Sequence, residues 1–201
     1  AGLQKEYAKL GFSQTEILNA TEATLSLAAA VETDLANASM VAGSTLRGFG
    51  LDASEMGRVV DVMAKSFTSS ALDIENFRES MKYVAPIAKA SGVSIEFTTA
   101  MLGKLADAGI KGSQAGTSLR RILAEMAKTG KPASQALDEV AKSGISVNDA
   151  MDEVGRTAQT ALLVLSKSKT GIDELAKSLD NAAGSAKAMA DIQLDSLEGK
   201  I

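Results

Sequence analysis

Apolar side chains recur along this chain three and four residues apart, the spacing that gathers them on one face of an α-helix. Met56, Val59, Val60, Met63 and Phe67 form one stripe, and Ile74, Phe77, Met81, Val84 and Ala88 a second. Phe97, Met101, Leu105 and Ala108 make a third, and Ala115, Leu119, Ile122, Leu123 and Met126 a fourth. A fifth runs through Val154, Ala158, Ala161, Leu162 and Leu165. Ile172, Leu175, Leu179, Ala182, Ala186 and Met189 step like a short heptad seam. No stretch alternates apolar and polar residues, so no strand is predicted.

Between the stripes a three-residue unit recurs: Gly, an apolar residue, then Ser or Asp. It occurs at Gly11-Phe12-Ser13, Gly50-Leu51-Asp52, Gly92-Val93-Ser94, Gly144-Ile145-Ser146 and Gly171-Ile172-Asp173. Gly109-Ile110 follows the same logic, with its cap delayed to Ser113. Glycine takes the left-handed conformation that closes a helix, the apolar residue packs back, and the Ser or Asp oxygen caps the next helix. Ser13 with Glu16, and Asp52 with Glu55, have capping-box spacing. Pro86 lies inside the second stripe and is expected to kink or end its helix. Pro132 suits the first turn of a new one. The prediction is an all-α fold, an array of amphipathic helices. One long N-terminal helix from about Gln14 to the mid-40s precedes several shorter ones joined by Gly-apolar-cap turns. The junctions are unevenly spaced, which argues against a fixed-period solenoid.

Composition refines this picture. Hydrophobic residues are 45% of the 201, enough for a core, but aromatics are only 3%, so that core must be built from Ala, Leu, Ile, Val and Met. A formal net charge of −4 offers no basic footprint, and no specific nucleic acid is predicted as a ligand. The absence of His and Cys removes the commonest general base, the commonest metal ligand and any disulfide. No apolar run reaches the roughly 18–20 residues of a membrane span. Both ends are expected to be cuts within a longer chain.

Candidate chemistry is thin. Gly112-Ser113-Gln114-Ala115-Gly116-Thr117-Ser118 is the nearest approach to a phosphate loop, but it lacks the Lys before Ser or Thr and no strand precedes it. Its glycines, four apart, instead suit close packing of another helix. Arg120 and Arg121 are expected on a solvated side, their stems covering apolar surface. Asp138-Glu139 and Asp152-Glu153 read as polar helix faces, lacking the apolar pocket an acid catalyst needs. The expectation is no catalytic residue, no cofactor and no metal.

The segment from Leu105 to Arg120 resembles the signature of the TP901-type tail tape measure family of long-tailed phages, approximately L-A-x-x-G-I-x-G-S-x-A-G-T-x-L-R. Gly109, Ile110, Gly112, Ser113, Ala115, Gly116, Thr117, Leu119 and Arg120 carry that resemblance. The flanks agree at Ala88 to Ser94, Ala133 to Gly155 and Asn181 to Met189. On this reading residues 1–60 are a helical lead-in and 61–201 the family's core region, the whole an internal piece of a longer protein. The resemblance implies a structural protein of the phage or prophage tail. It would lie in the tail lumen, after a cytoplasmic assembly stage, and act in tail assembly, length determination and DNA ejection. The partners implied are other copies of itself, tail tube and tail assembly chaperone proteins, and the host envelope on ejection. The alternatives are a helical interaction module of another injection or secretion machine, a membrane-active segment or a muralytic one. The punctuated helices further predict a compact array and not a straight ruler.

Overall fold

Each stripe forms a helix where a capped turn can start it and a left-handed residue can stop it. The computed structural model describes residues 2–144, 146, 149, 152 and 154–198, which contain eleven α-helices and no strand. The first three are α1 (Gly2–Lys9), α2 (Gln14–Ala30) and α3 (Leu35–Phe49). A 3-10 turn at Ala53–Glu55 leads into α4 (Met56–Ser69), α5 (Ile74–Ala90), α6 (Ile95–Asp107) and α7 (Gly112–Lys128). Then follow α8 (Ala133–Ser143), α9 (Arg156–Lys167), α10 (Lys169–Asp180) and α11 (Ser185–Glu198). The all-α array expected from periodicity is what the chain forms.

Three junctions form as read. Phe12 is buried behind Gly11, and Ser13 and Glu16 make both capping-box bonds, at 2.7 and 3.3 Å. Asp52 accepts from the Ser54 N–H at 2.9 Å, and Ser94 from the Phe97 N–H at 3.1 Å. At the fourth, Gly144 closes α8 and Ser146 caps Asp149, while Ile145 lies outside the described residues.

Five expectations change. The long N-terminal helix is two helices. Glu32 takes a left-handed φ of 50° and the Thr33 N–H bonds the Ala28 carbonyl at 3.0 Å, closing α2 as a glycine would. Asp34 then caps α3 through the N–H groups of Ala36 and Asn37, at 2.9 and 3.0 Å. The Gly171 junction does not exist: the break falls at Ser168, and Gly171 sits inside α10 against the Lys104 side chain of α6. Ser113 is no cap, because α7 has already begun at Gly112. Glu55 does not close a box with Asp52, since Arg58 takes its carboxylate at 2.8 Å. Pro86 does not end α5. It lies with Lys82 at an open surface, so the carbonyl that Pro86 cannot donate to is at a hydrated edge.

The core is continuous from Leu3 to Ala186 and rich in small side chains. Ala38, Ala42, Ala88, Ala100 and Ala158 are fully enclosed, and the few large groups wedge between them. Tyr7 is buried, hydrogen-bonded to Thr24 and stacked on Phe12 at 4.8 Å, with the Arg47 guanidinium over the Phe12 ring. Arg58 on α4 clasps the buried Glu96 of α6 through two bonds, at 2.6 and 2.9 Å, and the paired charge is what makes that burial tolerable. Asp61 of α4 accepts the N–H groups of Gly184 and Ala186 at 2.8 and 2.9 Å, fastening α11 across the chain. The accessible surface is 9559 Å². A compact monomer of 20.7 kDa exposes about 8900 Å², so the helices are folded back on one another.

Candidate functional site

The signature residues converge on the turn between α6 and α7 and on the flank of α7 facing α5. Gly109 has φ 83° and Gly112 φ 57°. This turn therefore needs two residues without a Cβ penalty. The Ile110 N–H bonds the Leu105 carbonyl at 2.8 Å, and its side chain packs into the core. Four residues on from Gly112, a Cβ at Gly116 would stand 2.7 Å from the Ser80 Cα, and closer still to the Ser80 carbonyl oxygen. The Ser80 hydroxyl donates at 2.8 Å to the Gly112 carbonyl and to Asn76 of its own helix. Helices α5 and α7 therefore meet backbone to backbone, as glycines four apart permit.

The contacts advance together along both helices. Asn76 and Ser80 lie at Gly112, Ser80 lies at Gly116, and Tyr83 and Ile87 share a groove with Arg120 and Ala124. The two helices thus run in the same direction, and α6 connects them in the chain. Ala115 and Leu119 are buried on the core side of α7. Ser113 is exposed, and the Thr117 hydroxyl donates back to the Ser113 carbonyl at 2.8 Å. Neither side chain faces an enclosed cavity.

Arg120 is the charged residue of the nine. It is exposed and lines an open groove of about 840 Å³ walled by α5, α7 and α9. Arg121 lies in the same groove with its guanidinium against Gly155, where an added Cβ would be 3.0 Å away. Both arginines are on the solvated side, as expected. The start of α7 lies against Asn76 and Glu79 of α5, and the hydrogen bond from Lys82 holds the Glu79 carboxyl below its ordinary range. Asp138 is held low by Lys142, the opposite of what an acid catalyst requires, and Glu139 pairs with Lys131 at 2.7 Å. Asp152 is exposed, and Glu153 lies outside the described residues. No cluster among the described residues could hold a metal ion.

Sequence reasoning missed the groove, the Arg58–Glu96 clasp and the Asp61 cap. The last two join residues 38 and 123 positions apart, and no local pattern encodes such pairings.

Helices packed on small residues, with the segment from Gly109 to Gly116 given over to a turn and a close helix contact, define an all-α packing unit. The chain belongs to the phage-related minor tail protein family, which matches residues 1–193. Over 124 residues, 62% of the chain, it is 46% identical to the tape measure protein of Pneumococcus phage Dp-1. Over 133 residues, 65% of the chain, it is 38% identical to the probable tape measure protein of Escherichia phage P2. The matched segments are 11% and 16% of those two proteins, so the chain corresponds to a small part of each. No solved structure gives a significant match.

Proposed function

We propose that this chain is a folded helical section of an internal tail protein that takes part in tail assembly, in setting tail length and in DNA ejection. The 46% identity to a tape measure protein supports this reading most directly. In it the section lies in the tail lumen after a cytoplasmic assembly stage. It meets other copies of itself, the tail tube and tail assembly chaperones, and then the host envelope on ejection. Residues 61–201 act as the core region and 1–60 as its lead-in, and the signature from Gly109 to Arg120 serves packing and performs no chemistry.

An in-frame deletion of the section from the phage tests this, with mass spectrometry of purified tails and tail lengths from electron micrographs. Wild-type tails should contain the section's peptides. If the section were one continuous helix, its deletion would shorten the tail by roughly 300 Å. A compact section should shorten it by far less, while DNA delivery falls. Tails lacking the protein, or deletion phages with unchanged infectivity, would overturn the proposal.

A further inference from the structure

Of the seven aromatic side chains only Tyr83 is exposed, at 39%. It lies on α5 in the floor of the α5–α7–α9 groove, beside Pro86, Ile87 and Ala158. A chain with so few aromatics has thus left one uncovered where two arginines stand. Arg120 and Arg121 belong to the α7 wall, and among the described residues neither is in an ion pair. The other charges of the groove are already matched: Lys82 pairs with Glu79 at 2.7 Å, and Glu125 with Lys128 at 2.6 Å. The net charge of −4 is a property of the whole chain, and this groove is locally basic.

Its dimensions select the occupant. The α7 wall runs from Thr117 to Glu125, about 12 Å at the helical rise. A volume of about 840 Å³ over that length leaves a cross-section of about 70 Å². An α-helix with its side chains is about 10–12 Å across and needs about 80–110 Å². A nucleic-acid duplex is broader still, since its major groove alone admits a helix. An extended strand fits. The wall then offers forked guanidinium donors to anions, and the floor offers the flat face of an aromatic ring. A single nucleic-acid strand has phosphates along one edge and base faces along the other. At about 3.4 Å per stacked nucleotide, the wall accommodates about three.

We propose that the α5–α7–α9 groove binds single-stranded nucleic acid without regard to sequence, a base stacking on Tyr83 and phosphates pairing with Arg120 and Arg121. This gives Arg120, at the end of the signature, a role that packing does not use. The binding does not depend on the tail assignment. Its failure would leave that assignment standing, and tails lacking the protein would leave the binding standing.

Fluorescence anisotropy of a labelled twelve-residue oligothymidylate, titrated with the 201-residue chain, tests it. The expected Kd is about 10–100 µM at about 0.05 M salt, and two phosphate contacts predict a log–log salt slope of about −1.4. R120E/R121E should abolish binding. Y83L keeps apolar bulk without the ring and should bind at least about fivefold more weakly, whereas Y83F keeps the ring and should restore the affinity. All three positions are exposed, so the melting curves should not change. The chain has two tyrosines and no tryptophan, and Tyr7 is buried. Stacking should therefore quench tyrosine emission in wild type but not in Y83F, after correction for absorption by the oligonucleotide. No binding at about 1 mM chain, or wild-type affinity in Y83L or R120E/R121E, would overturn the proposal. So would a duplex of the same length that binds as tightly, which would assign the arginines to a phosphate surface. Displacement by an oligoglutamate peptide at equal charge concentration would also overturn it, and would assign the groove to an acidic protein segment.

Discussion

Gly116→Ala tests whether the signature glycine is there for packing. The new Cβ would lie 2.7 Å from the Ser80 Cα and 3.0 Å from its carbonyl carbon, where ordinary contact begins at 3.4 Å. These are backbone atoms inside a helix, so no rotamer change relieves them. The Ser80 carbonyl oxygen would be closer still, so helices α5 and α7 must separate by about 1 Å, and the packing on both sides of the contact loosens with them. Overpacking of this kind costs roughly 1–3 kcal/mol. Weakening the Ser80 to Gly112 hydrogen bond adds about 1 kcal/mol. Against that, alanine favours a helix interior over glycine by about 1 kcal/mol. The net is a loss of about 1–3 kcal/mol, a Tm lower by roughly 3–10 °C in a domain of this size. Circular dichroism melts of the purified chain read it directly. Gly57→Ala is the internal control: it is helical and exposed, with nothing within 4 Å of its Cβ position, so its Tm should rise slightly. If Gly116→Ala melts at or above wild type, backbone approach is not why the residue is glycine.

Three further outcomes are expected. Burial pushes the Tyr7 hydroxyl up to about 12, the bond to Thr24 opposing it only in part. Between pH 10 and pH 12 the unfolded chain therefore releases this proton while the folded one keeps it. Stability should fall over that window, by up to about 2.7 kcal/mol. Urea titrations should show less of this fall in Tyr7→Phe, and identical slopes would refute it. Glu32→Gly relieves a left-handed side-chain position and should raise the urea midpoint, by about 0.5–1 kcal/mol in stability. A lower midpoint would contradict the backbone assignment. Asp61→Ala removes both acceptors at the start of α11 and should speed hydrogen exchange there. The expected loss is about 1–2 kcal/mol, and unchanged protection would show the cap is idle.

Helix content was legible because 3.6-residue periodicity is strong and local. The stripes around Met63, Met81, Leu119 and Ile172 are the buried faces of α4, α5, α7 and α10. Junctions with a glycine were legible where no tertiary contact competed. The break at Glu32 was not, because a non-glycine residue took the left-handed conformation and left no mark in the sequence. Gly171 misled for the reverse reason: it is a glycine inside a helix, without the left-handed conformation that closes one. At the signature, glycine spacing announced close packing, and the structure supplies its partner, Ser80. The groove beside Arg120 was hidden, because three helices distant in sequence have to assemble before it exists.

Whether the isolated chain is a folded-back helical array is decided by small-angle scattering. A compact domain of this length has a radius of gyration of about 17 Å. A single straight helix of the same length would give about 85 Å. Extrapolation to low concentration removes any contribution from contacts between molecules. The expected result is the compact value, with a bell-shaped Kratky plot. A rod-like profile with a radius several times larger would contradict the folded-back array.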